Sequence, residues 1–264
     1  MTTGTKAVFL DIDGTLSWNG VPPCDEDIDA LRAVRAAGHF VLINTGRSSG
    51  FLPESLREAD YLDGFLCGCG TQLILHGKTV YSGELPRPLL RRAAAFYLAR
   101  PGRRCLFESE DGLYIVNGDY KGGQWPQITH EDDFETIYAN VHVVKLTVIG
   151  SMIPEEREMF SEDLEPVLQS SGHWYEAILP GHGKGRGLLR ACETLGVLPE
   201  NSIAIGDSEN DLAMFESAGV AVAMENASAD AIAAAAFMTG RCGEGGVARA
   251  VRALVLGEGT LKAL

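Results

Sequence analysis

Carboxylate side chains follow two apolar runs of this chain, at the point where each run ends. Asp11 and Asp13 come directly after one run, and Asp207 and Asp211 follow the other. Asp11 and Asp13 are two positions apart, so their side chains share a face at an extended strand end. Carboxylates this close repel one another unless a cation lies between them. A hard divalent cation with oxygen ligands, most simply Mg²⁺, would relieve the repulsion, so the four aspartates predict a magnesium site.

Groups that can bind an anion occur beside these acids. They belong to three short motifs and comprise Gly14, Thr15, Thr45, Gly46, Arg47 and Lys184. Gly14 lets the backbone approach a ligand closely, and the amides of residues 12–15 and 45–47 can form a nest for an anion. A phosphoryl group held by a cation, a lysine and these amides would meet a carboxylate as the available nucleophile. The pattern therefore predicts phosphoryl chemistry through an aspartyl-phosphate.

Strand and helix patterns alternate at both ends of the chain, and these elements must position the polar clusters. Residues 7–10, 40–43 and 202–205 are short apolar runs typical of buried strands, and helical patterns cover 25–38 and 49–59. This alternation predicts a Rossmann-like, doubly wound parallel sheet of the α/β class, covered on both faces. Ligands bind outside the carboxyl ends of the strands in such sheets, so we expect the polar clusters to converge there.

The middle of the chain has a different pattern. Over 83–183, runs typical of strands lie between helical segments, which predicts a smaller α+β unit with an antiparallel sheet. An acidic helix from Glu155, interrupted near Pro166, is expected within it. Because the alternation resumes afterwards, we interpret 83–183 as an insertion into a core made of 1–82 and 184–264.

Composition excludes several classes of protein. The 264 residues include 22 Lys and Arg against 36 Asp and Glu, and the net charge of −14 argues against a basic surface for nucleic acid or an anionic membrane. No signal-peptide pattern and no apolar run of about 20 residues occurs, so no membrane association is expected. Six cysteines are too sparse for a disulfide framework, which favours a reduced, cytoplasmic setting. The sequence does not indicate an oligomeric state.

The motifs resemble those of the haloacid dehalogenase (HAD) superfamily of phosphatases, in particular its Cof-like, type IIB branch. The resemblance covers nearly the whole chain and rests on Asp11-Ile12-Asp13-Gly14-Thr15, Thr45-Gly46-Arg47, Lys184-Gly185 and Gly206-Asp207-Ser208-Glu209-Asn210-Asp211. It implies that the insertion is an α+β cap domain. One departure is Cys69-Gly70, where the family usually has Asn-Gly, and we expect Cys69 to alter the wall of the site under the cap.

The resemblance also implies roles for the site residues. Asp11 would be the nucleophile, and Asp13 would protonate the leaving alkoxide and then activate the hydrolytic water. Mg²⁺ would be bound by the Asp11 carboxylate, the Asp13 carbonyl and Asp207, with Asp211 completing or supporting this set. Thr45 and Lys184 would hold phosphoryl oxygens, Lys184 would also restrain Asp11, and Asn210 would lie beside the phosphate. The expected activity is hydrolysis of a small phosphomonoester, such as a sugar phosphate or a phosphorylated cofactor.

Two alternatives remain open at the level of sequence. One is a phosphomutase of the phosphomannomutase type, since those enzymes have a similar cap. The other is a phospho-acceptor or sensing module without turnover, which Asp13 argues against because it provides the means to dephosphorylate Asp11. Cys67 and Cys69 with His76 lack the paired spacing of a structural zinc site, so buried thiols are the favoured interpretation.

Overall fold

The computed structural model describes residues 4–18, 21–120, 122–161, 163–168 and 172–264. Within these ranges the strands form two sheets, one of nine strands and one of five. None of the helices in the described ranges has the length and apolar character that a membrane span requires.

The larger sheet is built mainly from parallel strands. Its members are β1 (Ala7–Leu10), β2 (Phe40–Asn44), β3 (Gly64–Cys67), β4 (Gln72–Leu75), β5 (Lys78–Ser82), β11 (Ser202–Gly206), β12 (Val220–Ala223), β13 (Phe237–Met238) and β14 (Lys262–Ala263). The spatial order is β14-β13-β12-β11-β1-β2-β3-β4-β5. The six strands from β13 to β3 are parallel, and β14, β4 and β5 add antiparallel edges.

Both faces of the central part of this sheet are buried, and strands such as β1 and β12 are apolar at every position. Val8 and Ile43 pack into one core cluster, whereas Phe9 and Leu42 pack into another, as alternation across a strand requires. The helices that cover the two faces are α1 (Asp25–Ala36), α5 (Lys184–Leu195), α6 (Leu212–Ser217), α7 (Ala229–Ala234) and α8 (Gly246–Val251). Residues of α1 and α8 lie in the first cluster, and those of α5, α6 and α7 lie in the second. The predicted α/β class with a doubly wound parallel sheet is confirmed.

The helix predicted at 49–59 is wrong in its extent. The structure has a 3₁₀ turn at Ser49–Phe51 and a single helical turn, α2 (Glu54–Arg57). Leu52 between them is extended, with φ −73° and ψ 139°. The reason is Pro53, because a proline disfavours the helical conformation in the residue before it.

The smaller sheet is wholly antiparallel. Its strands, in the order β7-β6-β8-β10-β9, are β6 (Arg104–Ser109), β7 (Leu113–Val116), β8 (Val143–Ile149), β9 (Glu165–Leu168) and β10 (Trp174–Ile178). Helices α3 (Arg87–Leu98) and α4 (Pro154–Phe160) pack on one face. The predicted helical interruption at Pro166 is wrong: α4 has already ended, and Pro166 lies in β9, an edge strand, where a missing N–H is tolerated.

Alternation along the central strands of the smaller sheet separates two kinds of side chain. Phe107, Leu146 and Tyr175 point into the apolar core beneath the helices. Their neighbours Glu108 and Glu176 belong to the opposite face, which lines a cavity shared with the carboxyl ends of β1, β2 and β11. The architecture therefore brings polar residues of the smaller sheet against the strand ends of the larger one.

Candidate active site

Asp11 lies at the carboxyl end of β1, between two parallel neighbours. Its N–H donates to the Ile205 carbonyl at 3.1 Å, which continues the β1–β11 ladder by one residue. Its side chain is buried and lines a cavity of about 310 Å³ between the two sheets. The chain then turns through Gly14 at φ 95°, where a Cβ would lie 2.2 Å from Asp207 Oδ2. Only glycine permits this approach, so Gly14 allows the strand-end loops to meet.

Lys184, the first residue of α5, joins three of the predicted residues. Its buried Nζ donates to Asp11 Oδ1 at 2.7 Å, to Asp211 Oδ1 at 2.6 Å and to Asn210 Oδ1 at 3.1 Å. Burial lowers the pKa of Lys184, but the Asp11 and Asp211 carboxylates outweigh it and raise this pKa above its usual range. The ammonium therefore stays charged and holds Asp11 in place. Asn44 fixes the helix start by donating to the Lys184 carbonyl at 3.0 Å.

Three carboxylates converge beside this lysine. Single oxygens of Asp11, Asp207 and Asp211 lie within 4.8 Å of one another. Burial, helped by the Asp211 charge, raises the pKa of Asp207 to about 6. Burial likewise raises the pKa of Asp11 to about 7, although Lys184 opposes it. A cation would reverse both shifts, and an all-oxygen donor set suits a hard divalent ion.

The three acids differ in how far their oxygens are already engaged. Asp211 Oδ2 accepts the N–H groups of Asp207 and Ser208 at 3.0 and 3.1 Å, and its Oδ1 accepts from Lys184. Asp207 Oδ1 accepts from the Thr15 hydroxyl at 3.0 Å. Asp11 Oδ2 and Asp207 Oδ2 accept no hydrogen bond from any described residue, so these two atoms are the ones best able to ligate a metal.

Asp13 is not one of the three clustered acids. Its side chain is 54% exposed and forms two hydrogen bonds with Arg47, from Nε to Oδ2 at 2.9 Å and from Nη2 to Oδ1 at 2.6 Å. Both residues line the same cavity as Asp11. The position suits exchange of protons with a ligand or with solvent better than metal ligation by the carboxylate. Ligation through the Asp13 carbonyl stays a prediction.

The second predicted motif is held by β2 and β3. The Thr45 N–H donates to the Leu66 carbonyl at 2.9 Å, and its Oγ1 accepts the Arg47 N–H at 3.2 Å. The structure thus brings six predicted residues to one cavity, namely Asp11, Asp13, Thr45, Gly46, Arg47 and Asn210. Lys184 and Asp211 are joined to this set by the hydrogen bonds of Lys184, and Asp207 lies against Thr15 and Gly14.

Sequence analysis missed the opposite side of this cavity. Its lining comes largely from the smaller sheet and includes Glu108, Lys145, Thr147, Trp174 and Glu176. A signal was present, because Lys145 and Thr147 interrupt the apolar run of β8 at alternate positions. Charged residues on a buried strand need partners, and each such residue marks a polar face or a site.

Cys69 reaches this same wall. Its buried thiol donates to Glu176 Oε2 at 3.0 Å, and burial raises its pKa well above the usual value. Cys67 is also buried, with a pKa that burial raises to about 12. Both cysteines are therefore protonated thiols rather than metal-binding thiolates.

Comparison with known proteins identifies the family. The model of the haloacid dehalogenase-like hydrolases matches residues 8–251. The chain belongs to this family. A phosphoglycolate phosphatase from Methanococcoides burtonii is 36% identical to this hydrolase over 89% of each chain. A 5-amino-6-(5-phospho-D-ribitylamino)uracil phosphatase from Bacillus subtilis is 29% identical, over 95% of this hydrolase and 96% of that protein.

Solved structures agree with this assignment. A sugar phosphatase of HAD subclass IIB superposes with a TM-score of 0.79 at 25% identity, over 94% of this hydrolase and 98% of that chain. The hydrolase also matches a chloroplastic endoribonuclease YBEY from Arabidopsis thaliana at 28% identity, but it spans only 41% of that protein's length. Family, relatives and fold together make the chain a phosphomonoester hydrolase.

Proposed function

We propose that this hydrolase is a Mg²⁺-dependent phosphatase that cleaves a small phosphomonoester through an aspartyl-phosphate on Asp11. The observation that carries the proposal is the position of Asp11. It lies buried at the base of a cavity, held by Lys184 at 2.7 Å and flanked by Asp207 and Asp211. A buried carboxylate with one oxygen fixed and the other unengaged is suited to act as a nucleophile.

The metal would be bound by Asp11 and Asp207, with Asp211 orienting the loop that carries Asp207. When bound, Mg²⁺ supplies positive charge that stabilises the oxygens of the transferring phosphoryl group. Thr15 orients Asp207 by donating to its Oδ1, which leaves Oδ2 for the metal. Such supporting hydrogen bonds fix the orientation of ligands around a metal.

The protein groups would complete two successive displacements at phosphorus. In the first, an Asp11 oxygen bonds to phosphorus while the ester P–O bond breaks, and Asp13 gives its proton to the leaving alkoxide. In the second, Asp13 takes a proton from water, whose oxygen bonds to phosphorus as the Asp11–phosphorus bond breaks. Lys184 holds Asp11 in place through both displacements, and the Thr45 hydroxyl and the loop amides bind phosphoryl oxygens.

The size of the cavity supports a small substrate. About 310 Å³ lies between the sheets, at the lower end of the volumes found for ligand pockets. The substrates named for the phosphoglycolate and phosphoribitylamino-uracil phosphatases are likewise small phosphomonoesters.

The test is phosphate release by the purified protein from a panel of small phosphomonoesters, with Mg²⁺ and with a chelator. Asp11→Asn should abolish turnover, with a loss on the order of 10⁴-fold or more, because the nucleophile is gone. Undiminished turnover in this variant would refute the proposal. A phosphorylated isomer without free phosphate would indicate a mutase, and a lasting phospho-aspartate seen by mass spectrometry would indicate a phospho-acceptor.

A further inference from the structure

The wall of the cavity that faces Asp11 carries a buried ionic cluster. Glu108 from β6, Lys145 and Thr147 from β8 and Glu176 from β10 share one face of the smaller sheet. Register explains the grouping, because Glu108 is paired with Lys145 and Glu176 is paired with Thr147 across neighbouring strands. We call these four residues the carboxylate wall.

Lys145 is held by groups of the protein itself. Its Nζ donates to the Gly46 carbonyl at 2.6 Å and to Glu176 Oε1, and it forms an ion pair with Glu108 Oε1 at 3.2 Å. These three contacts direct the ammonium towards protein acceptors. Burial lowers the pKa of Lys145, but Glu108 and Glu176 outweigh it and raise the pKa above its usual range. The lysine is therefore a fixed charge that neutralises one of the two glutamates.

The two carboxylates, in contrast, keep acceptor capacity. Glu176 Oε1 accepts from Lys145 and its Oε2 from the Cys69 thiol at 3.0 Å, whereas an ionised carboxylate has about four acceptor sites. Glu108 Oε1 accepts from Thr147 at 2.6 Å, and its Oε2 accepts from the Ser48 N–H at the long distance of 3.4 Å. With two carboxylates and one ammonium, the wall has a net charge of about −1 and accepts hydrogen bonds.

Aromatic side chains complete the space beside the wall. Phe51 and Trp174 both line the cavity. Their flat apolar surfaces can contact the carbon skeleton of a leaving group while its polar atoms turn towards the glutamates. The cavity therefore suits a leaving group that has a carbon skeleton and hydrogen-bond donors and that carries no negative charge of its own.

We propose that Glu108 and Glu176 determine the specificity of this hydrolase by accepting hydrogen bonds from hydroxylated leaving groups and by repelling leaving groups that carry a carboxylate. The inference rests on the proposed function, because it concerns the part of the substrate that departs from phosphorus. It separates this chain from its relative that acts on phosphoglycolate, whose leaving group carries a carboxylate.

A matched pair of substrates tests the inference directly. 2-Hydroxyethyl phosphate and 2-phosphoglycolate have the same two-carbon skeleton and differ in bearing a hydroxyl or a carboxylate at the end opposite the phosphate. We expect kcat/KM for the hydroxyl substrate to exceed that for the carboxylate substrate by about 100-fold, since like charges placed together cost several kcal/mol and each 1.4 kcal/mol is about tenfold.

Glutamine variants of the two glutamates distinguish an effect of their charge from a merely structural role. Glu176→Gln and, independently, Glu108→Gln remove one negative charge from the wall, and each should raise kcat/KM for phosphoglycolate while lowering it for 2-hydroxyethyl phosphate. A merely structural role would lower both rates together. The control is Glu156→Gln, which alters another buried glutamate of the same α+β unit, ion-paired with Arg103 at 2.7 Å and remote from the cavity lining. This control should leave the ratio of the two rates unchanged.

Two results would overturn the inference. One is faster hydrolysis of phosphoglycolate than of 2-hydroxyethyl phosphate by the unmodified protein, and the other is an unaltered ratio in both glutamine variants. In either case phosphate release would still support the proposed function. Absence of phosphate release from every ester in the presence of Mg²⁺ would refute the proposed function itself.

Discussion

The two sides of the cavity share an arrangement of charges but differ in what they leave unsatisfied. On the larger sheet Lys184 lies between Asp11 and Asp211, and on the smaller sheet Lys145 lies between Glu108 and Glu176. Lys184 donates three hydrogen bonds to protein acceptors, and Lys145 donates two and forms an ion pair with Glu108.

The cluster around Lys184 differs from the cluster around Lys145 in having a third carboxylate. Asp207 joins the first cluster, with an oxygen that is unengaged among the described residues, whereas the second cluster has the Thr147 hydroxyl instead. Excess negative charge on three converging acids attracts a metal ion, whereas two glutamates around one lysine form a static polar surface. A similar ion pair can therefore serve catalysis on one side and recognition on the other.

Replacing Lys184 or Lys145 by methionine should give the largest difference between the two sides of the cavity. Lys184→Met should lower kcat/KM for every phosphomonoester by about 10²- to 10³-fold, since the donor that fixes the nucleophile is lost. Lys145→Met should instead reduce stability by about 3–5 kcal/mol, because it leaves two buried glutamates without a counter-ion. Denaturant unfolding and initial rates on three substrates measure both effects.

Magnesium should tell these two variants apart. Lys184→Met leaves Asp11 and Asp211 without their counter-ion, so Mg²⁺ bound beside Asp11 and Asp207 should stabilise this variant more than it stabilises the unmodified protein. Mg²⁺ has no corresponding place beside Glu108 and Glu176, so it should stabilise Lys145→Met only as much as it stabilises the unmodified protein. Equal rescue of the two variants would contradict the distinction between the two sides.

Thermal stability in the absence of metal should depend on pH through the first cluster. The pKa values of Asp11 and Asp207 are raised to about 7 and about 6 from an unfolded value of 3.8. Groups with raised pKa values stabilise the fold most below their unfolded pKa, and this contribution is lost progressively as the pH rises from about 4 to about 7. Bound Mg²⁺ favours the ionised acids, so the increase in Tm on adding Mg²⁺ should be larger at pH 8 than at pH 5.

The matched control for this experiment is Asp207→Asn, which removes one of the titrating acids. The difference between the Mg²⁺-induced shifts at pH 8 and pH 5 should shrink in this variant. A shift of equal size at both pH values in the unmodified protein would show that the acids do not ionise as described.

The smallest effect is expected at the rim of the cavity. Arg47→Met breaks the ion pair with Asp13, whose side chain is 54% exposed. Solvent screens such pairs, so the free energy of unfolding should fall by less than about 1 kcal/mol. Denaturant titrations of Arg47→Met and Lys145→Met in parallel compare the two losses in the free energy of unfolding. An equal loss in both variants would mean that the Arg47–Asp13 pair is as important to the fold as the buried pairs of Lys145.

The larger sheet and its cluster could be predicted because their information is local. Asp11, Asp13 and Gly14 follow one apolar strand, and the rule that ligands lie at the carboxyl ends of parallel strands brings Asp207 to them. Short-range signals also predicted most helices, but Pro53 divided the segment after Thr45 and made the long helix expected there wrong.

The carboxylate wall could not be predicted because its members are scattered along the chain. Lys145 and Glu176 are 31 residues apart and meet only through the register of three antiparallel strands. A shift of one residue in any pairing would place them on opposite faces, and nothing in the sequence alone specifies that register. Cys69 donates a hydrogen bond to Glu176 of this wall, and the expectation that it alters the site stays a prediction.

The hydrogen bond from Lys145 to the Gly46 carbonyl has a consequence for how this enzyme can diverge. Gly46 follows Thr45 directly, so the lysine that offsets one of the two glutamate charges of the wall also anchors the loop proposed to bind phosphate. A lineage that exchanged Lys145 to accept a new leaving group would at the same time loosen that loop. Substitutions at Glu108 or Glu176 leave the anchor in place, and they are therefore the more accessible route by which descendants of this protein could acquire new substrates.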